Sequence, residues 1–170
     1  MSETNHQSQD DAPRSEFTRQ TILDALPHRP PFLFVDEILR WTETDIVTTY
    51  TFKPDEFFFA GHYPNAPIVP GVLLCESAMQ AGAIFLSRLF AAEDAKRTDT
   101  PKRPLIPVVG RMNEIKFKRM VQPGETIRCE VKLGEKMGRA YFLSAQVTVG
   151  EFSAVRFEFA CTRTASLSEG

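Results

Sequence analysis

The chain has 170 residues, of which 25% are charged and 42% hydrophobic, and its formal net charge is −2. This length and composition are typical of one globular domain, and the charge balance argues against a strongly basic nucleic-acid-binding protein. The three cysteines follow no CxxC or Cys/His spacing, which argues against a disulfide framework or a zinc site and predicts buried free thiols in a reducing compartment.

The N-terminal residues 1–16 are polar and contain neither the basic start nor the apolar centre of a signal peptide. We therefore expect a disordered tail over residues 1–16, a single domain over residues 17–165, and a cytoplasmic location.

The first predicted elements are a short helix and a β-hairpin. Apolar residues recur at roughly helical spacing over residues 17–26, and Pro27 ends that helix. The segment 32–39 follows two prolines, which favour extended backbone, and the segment 45–52 is rich in β-branched and aromatic residues. Both are predicted to be strands, paired with each other.

A proline-rich loop and a long apolar helix come next. The helix cannot begin before the last of three prolines, which are Pro64, Pro67 and Pro70. Residues 72–92 are almost continuously apolar, so a membrane span is the alternative interpretation. Glu76, Gln80 and Arg88 interrupt the apolar run and argue against a span, so we predict a buried central helix.

The second half of the chain is predicted to be β-rich. A charged loop over residues 92–104 separates it from the helix, and a turn at Pro123-Gly124 and another at Gly150-Glu151 divide it. The predicted strands cover residues 113–121, 126–133, 141–149 and 153–162. One long helix among five to seven antiparallel strands predicts an α+β fold, with a curved sheet wrapped around the helix.

Two ionisable residues in this central region stand out. His62 lies in the proline-rich loop, and Glu76 lies about one turn into the helix, with Gln80 on the same helix face. An apolar surrounding favours the protonated carboxyl, as a proton donor requires. The first amides of the helix, at Gly71 and Val72, are free to bind a carbonyl oxygen that develops negative charge.

This combination suits removal of a proton α to a carbonyl and expulsion of a β-hydroxyl. From the residues alone, a structural role stays open, because a loop histidine and a helical glutamate often serve no chemistry.

The segment "GHYPNAPIVPGVLLCESAMQ" (residues 61–80) closely resembles the signature of the (3R)-hydroxyacyl-acyl-carrier-protein dehydratases, of the FabZ type, in fatty-acid synthesis. Three further segments resemble the same family in the same order: "LPHRPPFLFVDEIL", "DEFFFAGHYP" and "EIKFKRMVQPGET". The resemblance covers most of residues 20–130. It implies the hot-dog fold, in which a curved antiparallel sheet wraps a long helix.

The resemblance also implies roles for individual residues. His62 falls on the family's base and Glu76 on its acid, while Gly71 falls on the amide donor to the thioester carbonyl, with Val72 beside it. Gln80 falls on a neighbour that orients the carboxylate. The family uses no metal or redox cofactor, and the glutamate at position 76 favours the plain dehydratase over the related dehydratase–isomerases, which carry aspartate there.

The implied partners are acyl carrier protein, as the bearer of the acyl chain, and a second copy of the chain. The resemblance implies a homodimer in which each site takes its histidine from one subunit and its glutamate from the other, with a hexamer, a trimer of dimers, as the larger alternative. Nucleic acid is not an expected partner.

Other features leave alternatives open. Residues 104–114 lack an aromatic residue that gates the acyl tunnel in many family members, and His28 is expected to be a structural loop histidine. A basic run is either a solvated surface or a docking site for acyl carrier protein; it comprises Lys102, Arg103, Arg111, Lys116, Lys118 and Arg119. The alternative functions are a hot-dog acyl thioesterase and a non-catalytic acyl-thioester-binding protein.

Overall fold

The computed structural model describes residues 16–96 and 105–165. The predicted tail, apart from Glu16, lies outside the described residues. Lys102 and Arg103 of the basic run also lie outside them. Helix α1 spans Arg19–Ala25, and the side chain of Thr18 accepts a hydrogen bond from the backbone of Thr21 to cap its first turn.

The predicted hairpin is present, but its first strand begins later than predicted. Strand β1 spans Glu37–Trp41 and pairs antiparallel with β2, Asp45–Thr51. Residues 32–36 are not part of the sheet, which corrects the prediction of a strand over residues 32–39. The physical reason is that side chains of the long helix, and not a neighbouring strand, bond the backbone N–H and C=O of Phe34.

The central helix, α2, spans Gly71–Ala95, slightly longer than the predicted residues 72–92. It contacts strands β2 to β6, so the sheet curves around it. By length and composition α2 could cross a membrane, yet 56% of its most apolar window is buried inside the protein, as in a core helix. Gly82 permits this packing, because a Cβ there would lie 2.7 Å from the ring of Phe159.

The sheet contains six antiparallel strands in the order β1-β2-β4-β5-β6-β3, within the predicted range of five to seven. The remaining strands are β3 (Leu105–Phe117), β4 (Thr126–Met137), β5 (Ala140–Val149) and β6 (Phe152–Ala165). Strand β3 therefore starts well before the predicted residue 113 and ends before the predicted residue 121, while β4 runs beyond the predicted residue 133. A long helix on a curved antiparallel sheet is the α+β hot-dog arrangement predicted from the sequence.

The core lies between α2 and the inner face of the sheet. Alternate residues of β6 point into it, and Val155, Phe157 and Phe159 are all buried, as the alternation of that strand predicts. Burying side chains of this kind stabilises the fold by about 1.5–3 kcal/mol each. The site described below rests on the first turns of α2, held by this core.

All three cysteines are free and buried, as predicted. Burial raises the pKa of the Cys75 thiol to about 11 and those of Cys129 and Cys161 to about 12. The thiols are therefore protonated at neutral pH and unreactive.

Candidate active site

The imidazole of His62 is oriented by the loop that leads into α2. A 3₁₀ turn, Phe57–Ala60, precedes it, and the backbone N–H of His62 donates to the carbonyl of Phe58 at 2.9 Å. Its Nδ1 lies 2.9 Å from the carbonyl oxygen of Ile68. Because a carbonyl oxygen can only accept, Nδ1 carries the proton, and Nε2 is left as the basic nitrogen. The ring is stacked on that of Tyr63, with 4.2 Å between centroids.

The start of α2 presents the free amides that the sequence predicted. Pro70 is the N-cap residue and supplies no side-chain cap, so the N–H groups of Gly71 and Val72 have no acceptor within the helix. The helix dipole adds partial positive charge at this end. A Cβ at Gly71 would lie 2.7 Å from the ring of Phe117, so only glycine lets the helix start approach that ring so closely.

Glu76 lies one turn further along α2, and Gln80 orients its carboxyl group. The Nε2 of Gln80 donates to Oε1 of Glu76 at 2.9 Å and to the carbonyl of Phe32 at 3.1 Å. The Oε1 of Gln80 accepts from the N–H of Phe34 at 2.8 Å, while the hydroxyl of Ser77 donates to the carbonyl of Phe34 at 2.7 Å. Gln80 is only 1% exposed, so its amide is shielded from water, whereas its bonds to the Phe32 carbonyl and the Glu76 carboxyl group are partly buried.

The structure brings a further residue to the carboxyl group. His28, predicted to be a structural loop histidine, places its Nε2 3.6 Å from Oε1 of Glu76. The two residues are 48 positions apart in the sequence, and no local pattern indicates their contact.

In the described residues, no hydrogen bond or ion pair joins His62 to Glu76. The His62 ring bonds the Ile68 carbonyl, whereas the Glu76 carboxyl group contacts Gln80 and His28. In the same part of the chain, no group of three or more His, Cys, Asp or Glu side chains is placed to hold a metal ion.

Several apolar side chains beside His62 and the start of α2 are exposed in the single chain. Tyr63 beside the histidine is 52% exposed, Val72 at the helix start is 68% exposed, and Phe117 against Gly71 is 55% exposed. Met120, three residues after Phe117 in the chain, is 69% exposed. Clustered exposed apolar residues of this kind mark an interaction surface.

The model of the FabA-like domain matches residues 26–158, a range that contains every candidate site residue. The chain belongs to the FabA-like domain family. The 3-hydroxyacyl-(acyl-carrier-protein) dehydratase FabZ of Clostridium perfringens (strain SM101 / Type A) is 38% identical over 128 residues, which are 75% of this chain and 85% of that protein. The protein of the same name from Syntrophobacter fumaroxidans is 34% identical over 148 residues, 87% of this chain and 95% of that one. The predicted family is thereby confirmed.

Solved structures with the same fold include the dehydratase heterocomplex ApeI:P from Xenorhabdus doucetiae, with a TM-score of 0.65, 11% identity, and coverage of 85% of this chain and 91% of that one. A hypothetical thioesterase with coenzyme A from Streptococcus pneumoniae has a TM-score of 0.54 and 12% identity, covering 76% of this chain and 85% of that chain. At these identities the likeness shows the fold alone.

Proposed function

We propose that the protein is a dehydratase of fatty-acid synthesis that converts (3R)-hydroxyacyl thioesters, carried by acyl carrier protein, to trans-2-enoyl thioesters and water. One observation carries this proposal. The family match and its FabZ relatives cover the stretch in which His62 has a free Nε2 and Glu76 has a hydrogen-bonded carboxyl group.

The reaction follows from three groups. The N–H groups of Gly71 and Val72 bind the thioester oxygen and stabilise the negative charge that develops there. Nε2 of His62 takes the α-proton, and the electrons of that C–H bond form the new double bond. The C–O bond to the 3-hydroxyl breaks, and the leaving oxygen takes a proton from Glu76 to depart as water. A proton then passes from the imidazolium back to the carboxylate, which restores the enzyme.

The site is assembled from two copies of the chain. His62 and Glu76 have separate partners within one chain, and exposed apolar side chains lie beside His62 and the start of α2. Both features support a homodimer whose sites each combine one subunit's histidine with the other's glutamate. A hexamer, formed as a trimer of dimers, is the proposed larger assembly. Light scattering distinguishes the mass of the dimer from that of the hexamer.

A product assay tests the reaction and its alternatives. The protein is incubated with crotonyl and 3-hydroxybutyryl thioesters, and the products are identified by mass spectrometry. Interconversion of the two supports a dehydratase, free thiol indicates a thioesterase, and binding without turnover indicates a non-catalytic acyl-thioester-binding protein; either of the last two results refutes the proposal. His62→Ala and Glu76→Gln should each lower kcat/KM by about 10²–10⁴ with the fold retained.

Subunit complementation tests the shared site. His62→Ala and Glu76→Gln chains with different tags are co-expressed, and the mixed dimer is purified through both tags. In a shared site the mixed dimer contains one complete His62–Glu76 pair, so it should recover about half of the wild-type activity per dimer. An inactive mixed dimer would show that each chain builds its own site.

The proposed docking surface for acyl carrier protein is narrower than the basic run in the sequence. The guanidinium group of Arg119 donates two hydrogen bonds to Glu125, so it stabilises the turn between β3 and β4 and is not free to bind a carrier. Lys118 is exposed and has no ion pair among the described residues, and it follows Phe117, whose ring lies against Gly71. A cation there attracts an acidic carrier.

Lys118→Glu should raise KM several-fold for the carrier-bound substrate and leave KM for the coenzyme A thioester unchanged. Arg139→Glu is the matched control. Arg139 is also exposed, but it follows the last residue of β4, whereas Lys118 precedes the first residue of that strand. Equal effects of the two reversals, or none, would refute docking at Lys118. A cytoplasmic location, proposed from the same function, is checked by cell fractionation.

A further inference from the structure

We propose that His28 is a positioning residue for Glu76. Together with Gln80, His28 selects which oxygen of the Glu76 carboxyl group donates the proton. This inference rests on the proposed function, because it assigns a task to one oxygen of the proposed acid. It rests on three features of the structure: the anchoring of the loop, the environment of the imidazole, and the convergence of two donors on one oxygen.

The loop that carries His28 is anchored on both sides. The guanidinium group of Arg29 donates hydrogen bonds to the carbonyls of Leu23, Leu26 and His28 at 3.2, 2.7 and 2.7 Å. Downstream, the backbone of Phe34 is bonded by side chains of α2 at both its N–H and its C=O. The backbone of His28 is therefore fixed relative to the helix that carries the acid.

The imidazole of His28 is placed so that Nε2 faces the carboxyl group. The ring is stacked on Phe32, with 6.4 Å between centroids, and Nε2 lies 3.6 Å from Oε1 of Glu76. Nδ1 is buried and has no hydrogen-bond partner among the described residues. A proton on Nδ1 would be an unpaired buried donor, which is costly, so the arrangement favours the tautomer with its proton on Nε2, directed at the carboxyl group.

Two donors thus converge on the same oxygen. Gln80 Nε2 at 2.9 Å and His28 Nε2 at 3.6 Å both approach Oε1 of Glu76, whereas Oε2 has no partner in the described part of the chain. An oxygen that faces two N–H groups is an acceptor, so the proton of the acid lies on Oε2. Oε2 is the oxygen left to face the 3-hydroxyl group, and the two donors stabilise the carboxylate that remains when the proton has left.

Two substitutions separate the N–H group of His28 from the bulk of its ring. His28→Phe keeps a ring to stack on Phe32 and removes the donor, and we expect kcat to fall about 3- to 10-fold, the effect of losing one polar contact to the carboxyl group, with little change in KM. His28→Gln supplies a side-chain amide in place of Nε2–H, and we expect it to recover most of the wild-type kcat. Thermal unfolding of each variant monitors the fold.

A double-mutant cycle tests whether the effect passes through Glu76. Glu76→Asp shortens the side chain and withdraws the carboxyl group from His28, so adding His28→Phe to it should cost no further activity. The inference is overturned if His28→Phe has the wild-type kcat, if His28→Gln is as impaired as His28→Phe, or if the two losses multiply independently. A wild-type protein that does not interconvert the two thioesters would refute the proposed function itself, and the role of His28 with it.

Discussion

Gln80 is predicted to stabilise the fold and to orient the Glu76 carboxyl group. Replacing it should therefore lower both the free energy of unfolding and kcat. It is 1% exposed and forms three hydrogen bonds, to Phe34, Phe32 and Glu76. Gln80→Leu would leave the Phe34 N–H group buried without an acceptor, and would remove the donor to the partly buried Phe32 carbonyl and to the carboxyl group.

The expected magnitude follows from those three groups. One fully buried unpaired group costs about 1–3 kcal/mol, and the two partly exposed groups cost less because water reaches them, so we expect a total loss of about 2–4 kcal/mol in the free energy of unfolding. Because the Glu76 carboxyl group would also lose its donor, kcat should fall by about 10-fold or more.

Urea denaturation and crotonyl thioester hydration, followed by ultraviolet absorbance, measure the two effects. Gln80→Glu is the matched variant, since it keeps the acceptor for Phe34 but places a second carboxylate against Glu76. Protonation of the introduced carboxyl group restores a donor, so the stability deficit of this variant should shrink as the pH falls. Wild-type stability and kcat in Gln80→Leu would refute the reasoning.

Two further predictions concern the site's surroundings. Gly71→Ala would push its Cβ into the ring of Phe117, and because that ring is half-exposed and can turn, we expect a stability loss below about 2 kcal/mol. The backbone N–H is retained but displaced, so kcat/KM should fall clearly; an unchanged kcat/KM would show that the added Cβ does not move the helix start. Hydrogen bonds from Arg119 lower the pKa of Glu125 in the folded protein below its ordinary value of 4.5. The pair therefore stabilises the fold above pH 4.5, and this stabilisation is lost as the pH falls through the lowered pKa of the folded state. Glu125→Gln should therefore lower Tm by a few degrees at pH 7, with the difference from wild type vanishing in acid; a difference that persists in acid would point to another cause.

Local sequence patterns predicted α2 from its almost continuously apolar run and the hairpin from its β-branched and aromatic composition. They predicted most of the later strands because the apolar alternation of those strands coincides with the buried face. They missed the first part of β3, where Pro107 and Gly110 argue against a strand. The strand tolerates Pro107 because β3 lies at the edge of the sheet, where backbone N–H groups on one side need no partner.

The failures elsewhere arise from contacts between distant parts of the chain. Residues 32–36 have the composition of a strand, yet Gln80 and Ser77 bond the backbone of Phe34 from the helix. The approach of His28 to Glu76 arises in the same way, since it depends on how a loop before the sheet folds over α2. The individual roles of His62 and Glu76 stay predictions, which the substitutions above will test.

The burial of every native thiol makes the protein convenient for labelling. Since Cys75, Cys129 and Cys161 are buried and protonated at neutral pH, a cysteine introduced at the exposed Met120 would be the preferred target of a maleimide dye. A dye attached there would sit three residues from Phe117 in the chain, and its emission would report the pairing of two chains in real time.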